Sequence, residues 1–124
     1  MATNYIQGGS VMDYVNNTGA DIASGDVVVI GNLIGVSLTD IPNTTPNSVG
    51  AVALDGVYEV PKVSAAVFVQ GEKLIYDVSA GAFDDSAATP ATGDVSGCCV
   101  AMAAGSNGET TCKVKLNVGV GTVA

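Results

Sequence analysis

The longest run of β-branched residues in the chain is Val-Val-Val-Ile at 27–30, entered through Ser24-Gly25-Asp26 and broken by Gly31-Asn32 before a second apolar run at 33–36. Branched side chains lose little by being extended and pack well on a pleated surface, so both runs read as strands. They are joined as a tight hairpin or meander, and they are apolar enough to be buried on both faces over part of their length. Elsewhere apolar positions alternate with a period of two: Val57-Tyr58-Glu59-Val60, then Cys112, Val114 and Leu116 against Thr111, Lys113 and Lys115. The last two lysines read as lining a solvated face. No segment holds apolar residues at helical spacing for three turns, and turn signals return about every ten residues. The expected fold is all-β, a compact sandwich or barrel of about eight short strands, with an extended N-terminal arm.

Residues 1–18 form that arm, cut off by the turn cluster Asn16-Asn17-Thr18-Gly19. Its apolar groups fall on both parities, so it can be covered on both sides. An apolar, tyrosine-bearing arm can dock on a partner as an added strand, or it can be the first strand of the chain's own sheet. Residues 19–118 are expected as a single β domain. Within it, two prolines make 39–48 an exposed loop, and Asp55-Gly56 reads as a type I′ hairpin turn between strands at 49–54 and 57–60. A strand at 73–78 follows, then a mobile loop at 84–93, and strands at 95–104 and 110–118. A short helical turn near 61–66 is compatible with the pattern. Residues 119–124 are expected to fray as a C-terminal tail.

Composition narrows the function. A chain of 124 residues is one domain, long enough to bury about two-thirds of its unfolded surface. Charged residues are 13% of the chain and apolar ones 48%, which points to a surface that meets other protein rather than water, the alternative being a neutral surface of Ala, Gly, Ser, Thr and Asn that stays soluble. Four lysines, no arginine and twelve acidic residues argue against a phosphate-backbone partner, so no nucleic acid is expected. No apolar run approaches the ~20 residues of a membrane span, and no signal peptide is visible, so synthesis in the cytoplasm is expected.

Candidate chemistry is sparse. Without histidine the usual base and triad arrangements are missing, and no enzyme activity is expected. Asp84-Asp85 reads as solvated charge, and the glycines at 31–35 lack the lysine and hydroxyl of a phosphate loop. Cys98, Cys99 and Cys112 lack the spacing of zinc modules and read as small buried hydrophobes, with Cys98 and Cys99 pointing to opposite faces of a strand. A bridge from Cys112 to either of the other two stays open under oxidation. No metal or cofactor is expected.

The order of several strings resembles one family. These are Asn4-Tyr-Ile-Gln-Gly-Gly9, the run at 22–36, Asp55-Gly-Val-Tyr-Glu-Val-Pro-Lys62, Gln70-Gly-Glu-Lys-Leu-Ile-Tyr-Asp77 and Lys113-Val-Lys-Leu-Asn117. Together they resemble the small decoration, or cement, proteins of tailed-phage and prophage capsids. The resemblance implies a structural virion protein on the outer surface of the expanded head, strengthening capsomer junctions. Its implied partners are the major capsid protein and further copies of itself, as a homotrimer or dimer. In that setting the arm would supply interface anchors at Tyr5, Ile6, Val11, Met12 and Tyr14. The alternative from another class is a β-sandwich adhesion module that recognises a host-surface glycan, which the absence of tryptophan and the six aromatics disfavour.

Overall fold

A computed structural model of the chain describes residues 9–16, 18–43 and 48–124. The described residues contain ten strands and no helix: β1 (Val11–Asn16), β2 (Val27–Ile30), β3 (Leu33–Ser37), β4 (Ser48–Ala53), β5 (Val57–Pro61), β6 (Lys73–Asp77), β7 (Ala82–Asp84), β8 (Val95–Ala101), β9 (Thr111–Lys115) and β10 (Thr122–Val123). They form two antiparallel sheets in a sandwich-like arrangement. The first has the order β1-β4-β3-β2; the second runs β5-β9-β8-β6-β7, with β10 also on β8.

The run at 27–36 forms the expected hairpin, with Val27 opposite Val36 and Ile30 opposite Leu33. Its two parities feed two cores. Val27, Val29, Ile34 and Val36 pack with the interior of the second sheet, among Phe83, Leu74, Val95 and Val114. Val28 lies on the other face with Val52, Ile22 and Ile41 in a smaller cluster. Ile22 and Ile41 close that cluster from outside the sheet, exchanging two backbone hydrogen bonds of 3.0 and 2.7 Å. Continuous branched residues, rather than strict alternation, are what a strand covered on both faces needs.

The Asp55-Gly56 turn is not a hairpin. β4 already has β1 and β3 on its two edges, so the following strand cannot fold back onto it. Gly56, at φ +110°, turns the chain out of the first sheet into the second, where β5 pairs with β9 from Val57↔Lys115 to Pro61↔Thr111. Local turn chemistry fixed the bend, and edge occupancy decided what it joined. At the far end of β5 a parallel bridge between Lys62 and Phe83 brings the two edges of the second sheet together.

Three further expectations change. The segment 119–124 does not fray: β10 pairs with β8, Gly121 donates to the Asn32 carbonyl at 2.9 Å, and Ala124 donates to Asp94 at 2.8 Å. Cys98 and Cys99 do not face opposite ways: each is 1% exposed and both lie in the larger core cluster. The β6–β8 register shifts between Leu74, opposite Cys99, and Ile75, opposite Ser96. Gly97, at φ +79°, sits in that bulge, which resets the alternation so that both thiols enter the core. In place of a helical turn near 61–66, Ala66 donates to the Val63 carbonyl in a simple turn.

Candidate docking surface

β1 is the outer strand of the first sheet, paired with β4 in a six-residue register from Val11↔Ala53 to Asn16↔Ser48. For residues 11–16, then, the arm is the first strand of the chain's own sheet. Asn16 is buried and ends the strand by donating from its amide to the carbonyls of Ile41 (2.7 Å) and Ala20 (2.9 Å).

The two faces of β1 differ. Met12 and Tyr14 are half-buried against the smaller cluster of Ile22, Val28, Ile41 and Val52. On the opposite parity, Val11 and Val15 are 38% and 42% exposed, with exposed Asp13 between them. Val15 lies directly across from Val49, which is 58% exposed. That parity is the one whose members nearer β2 pack on the second sheet, so the β1–β4 end carries the same apolar face past its cover. Of the five anchors expected from sequence, Val11 therefore faces outward, while Met12 and Tyr14 are held largely by the chain itself. Tyr5 and Ile6 lie outside the described residues. Val15 and Val49 were not singled out from sequence, because nothing local shows where the second sheet stops covering the first.

Two polar side chains tie segments together, Asn117 between the sheets and Lys62 between two loops of the second sheet. Asn117, at φ +52°, follows β9 and reaches into the seam. Its amide donates to the carbonyls of Ile34 and Leu54, both at 2.7 Å, and its carbonyl oxygen accepts from the Ile34 amide (3.0 Å) and the Cys98 thiol (2.7 Å). Lys62 is 4% exposed, and its ammonium group donates to four carbonyls, those of Val63, Ser64, Ser106 and Glu109, at 2.9–3.4 Å. The Phe68 ring centre is 5.8 Å from its Nζ.

Among the described residues no three His, Cys, Asp or Glu side chains are placed to hold a metal ion. Among the described residues no helix is long and apolar enough to cross a membrane. The three cysteines are free and buried. Burial pushes the Cys112 thiol up from 9.0 to about 11, and burial likewise raises Tyr76. The unfolded thiol ionises first, so this contribution is fully present below about pH 9 and is lost as pH rises through about 11. The expected result is a urea midpoint that falls over that window, with a shallower fall in Cys112→Val; equal slopes in the two proteins would contradict it.

A family model described as phage cement protein matches residues 6–116. A search of curated proteins finds no match to the chain. The matched span takes in the first strand, both cores, Lys62 and the whole of β9, so the resemblance seen in the short strings extends over nearly the entire fold. This chain belongs to the phage cement protein family.

Proposed function

We propose that the chain binds the outer surface of the expanded phage head and stabilises capsomer junctions, meeting the major capsid protein and neighbouring copies of itself as a homotrimer or dimer. The reading is structural, not catalytic. The observation that carries it is the apolar strip of Val11, Val15 and Val49 beside an outer strand, since exposed apolar groups with a polar rim are the ordinary make-up of a protein interface. A shell presents many copies of each contact, so a single weak strip suffices by avidity.

A glycan-binding module finds no support in the side chains. Phe68, Tyr76 and Phe83 are buried and Tyr14 and Tyr58 are half-buried, which leaves no exposed ring among the described residues for a sugar to stack on.

The test is co-sedimentation with undecorated expanded heads. Val15→Asp combined with Val49→Asp alters exposed positions and should leave the melting temperature within a few degrees of the parent. Head binding should weaken at least about tenfold, the scale of two interface side chains worth ~1 kcal/mol each. Undiminished binding would remove this strip from the interface. Deleting residues 2–15 is a poorer test, because it strips β1 from β4 and uncovers the cluster that Met12 and Tyr14 help to close. Deleting residues 2–8 probes Tyr5 and Ile6 without that damage.

A further inference from the structure

Of the chain's asparagines only Asn107 is followed by glycine. That dipeptide is especially prone to ring closure, in which the backbone nitrogen of the second residue attacks the side-chain amide of the first. Glycine carries no side chain to hinder the approach. The dipeptide sits in a loop that the buried lysine holds. Glu109 donates its amide to the Ser106 carbonyl at 3.2 Å, closing a four-residue turn with Asn107 and Gly108 at its centre. Gly108 is at φ +96° while Asn107 stays at negative φ, so the turn is type II. All four of its residues are exposed to the water that such a reaction consumes.

Several contacts keep this turn from closing the ring. The Gly108 amide donates to the Ser64 carbonyl at 2.7 Å, so its nitrogen is aimed at another segment rather than at Asn107. The Lys62 ammonium group shares that acceptor at 3.3 Å, and it grips both ends of the turn through the carbonyls of Ser106 (3.0 Å) and Glu109 (3.4 Å). Within the turn, the Glu109 carboxylate accepts from the Ser106 amide. A type II turn also holds ψ of its second residue at about +120°. An imide ring at Asn107 requires a ψ of the opposite sign. Reaction therefore needs the turn to open, the same event that frees the Gly108 amide for exchange with water.

We propose that Asn107 is a deamidation site held in check by Lys62, and that opening of the turn at 106–109 converts it to aspartate or isoaspartate. In the open turn the Gly108 nitrogen gives its proton to hydroxide and bonds to the side-chain carbonyl carbon of Asn107. The side-chain nitrogen takes a proton from water and leaves as ammonia. Water then opens the ring imide at either carbonyl. The balance is asparagine plus water giving an acidic residue plus ammonia, with no oxidation or reduction. Lys62, otherwise a tie between two loops, is thereby a positioning residue that sets the chemical lifetime of the turn. Head binding plays no part in this, so the two readings stand or fall separately.

The test is intact mass and peptide mapping of the full chain during incubation at mildly alkaline pH, read beside amide exchange at Gly108. Conversion at Asn107 should be at least about tenfold slower in the folded chain than in the same chain unfolded in urea. Lys62→Met should speed it about fivefold or more, in step with the rise in Gly108 exchange. Glu109→Ala changes an exposed side chain, keeps the lysine and removes the carboxylate from the Ser106 amide; it should speed conversion about twofold or more. Asn117→Ala loosens a different part of the molecule and should convert Asn107 at close to the parental rate. Equal rates in the folded and unfolded chain would overturn the proposal, and so would an Asn117 variant as fast as Lys62→Met. A lysine variant whose Gly108 exchanges faster while Asn107 converts no faster would do the same. Should Lys62→Met fail to fold, Glu109→Ala decides: a parental rate there ends the proposal.

Discussion

Asn117→Ala is expected to lower stability by about 2–3 kcal/mol, read as a fall of roughly 10 °C in the melting temperature. The residue makes four hydrogen bonds to three other segments: both polar groups of Ile34 in β3, the Leu54 carbonyl at the exit of β4, and the Cys98 thiol in the β8 bulge. Alanine removes all four partners at once. The loss is capped because Asn117 is only half-buried and borders a cleft shared with Leu33, Leu54 and Asp55, where water can replace part of what is lost. Backbone strain is a smaller effect. At φ +52° asparagine is tolerated better than alanine, a difference of about 1 kcal/mol. Asn117→Gly separates the two: it relieves the strain yet keeps the hydrogen-bond loss, so it should still be destabilised by about 2 kcal/mol. Near-parental stability of the glycine variant would show that this side chain does not hold the sheets together.

Lys62→Met should cost more, about 3–4 kcal/mol. Methionine matches the length and keeps the apolar stem, but it leaves the carbonyls of Val63, Ser64, Ser106 and Glu109 without their shared donor in a site that water scarcely reaches. The acceptors are partly buried, so each one left unpaired costs about 0.5–1 kcal/mol, and the contact with the Phe68 ring is lost as well. These carbonyls come from two loops, 63–64 and 106–109, which the ammonium group ties together at the end of the second sheet. The damage should therefore be local before it is global: amide hydrogen exchange at Ala66, Phe68 and Gly108, whose backbone bonds close those loops, should rise ahead of exchange in β8 and β9. An unchanged urea midpoint would mean that the loops satisfy their carbonyls without the lysine.

Much of this fold was legible from residue order. The run at 27–36 carried its own evidence, because branched residues, a Gly-Asn break and a short span leave little besides a hairpin. The strands around 57–60 and 111–115 announced themselves by alternation. Short strands did not. β7 and β10, at three and two residues, carry too little pattern to detect, and they exist because neighbouring edges were available to pair with them.

The exposed strip on β1 and β4 was only partly legible. Val11, Met12 and Tyr14 were all expected as interface anchors; Val11 lies on the exposed face with Val15 and Val49, which were not singled out, whereas Met12 and Tyr14 pack on the second cluster. Likewise Lys62 sat in a string read as a signature of the fold, and nothing local distinguishes a buried lysine from Lys113 or Lys115.

Residue order alone determined what each segment is: extended, poor in charge, without histidine, and punctuated by turns at defined places, which with a few strings sufficed to indicate the family. Tertiary structure decided what each segment touches. Asp55-Gly56 bends the same way in a hairpin as in a corner between sheets, and only the occupied edges of β4 choose between them. Cys98 and Cys99 alternate in any isolated strand, and only the bulge against β6 turns both inward. Side-chain spacing along a strand is a local property, while edge availability and cover belong to the whole assembly of strands.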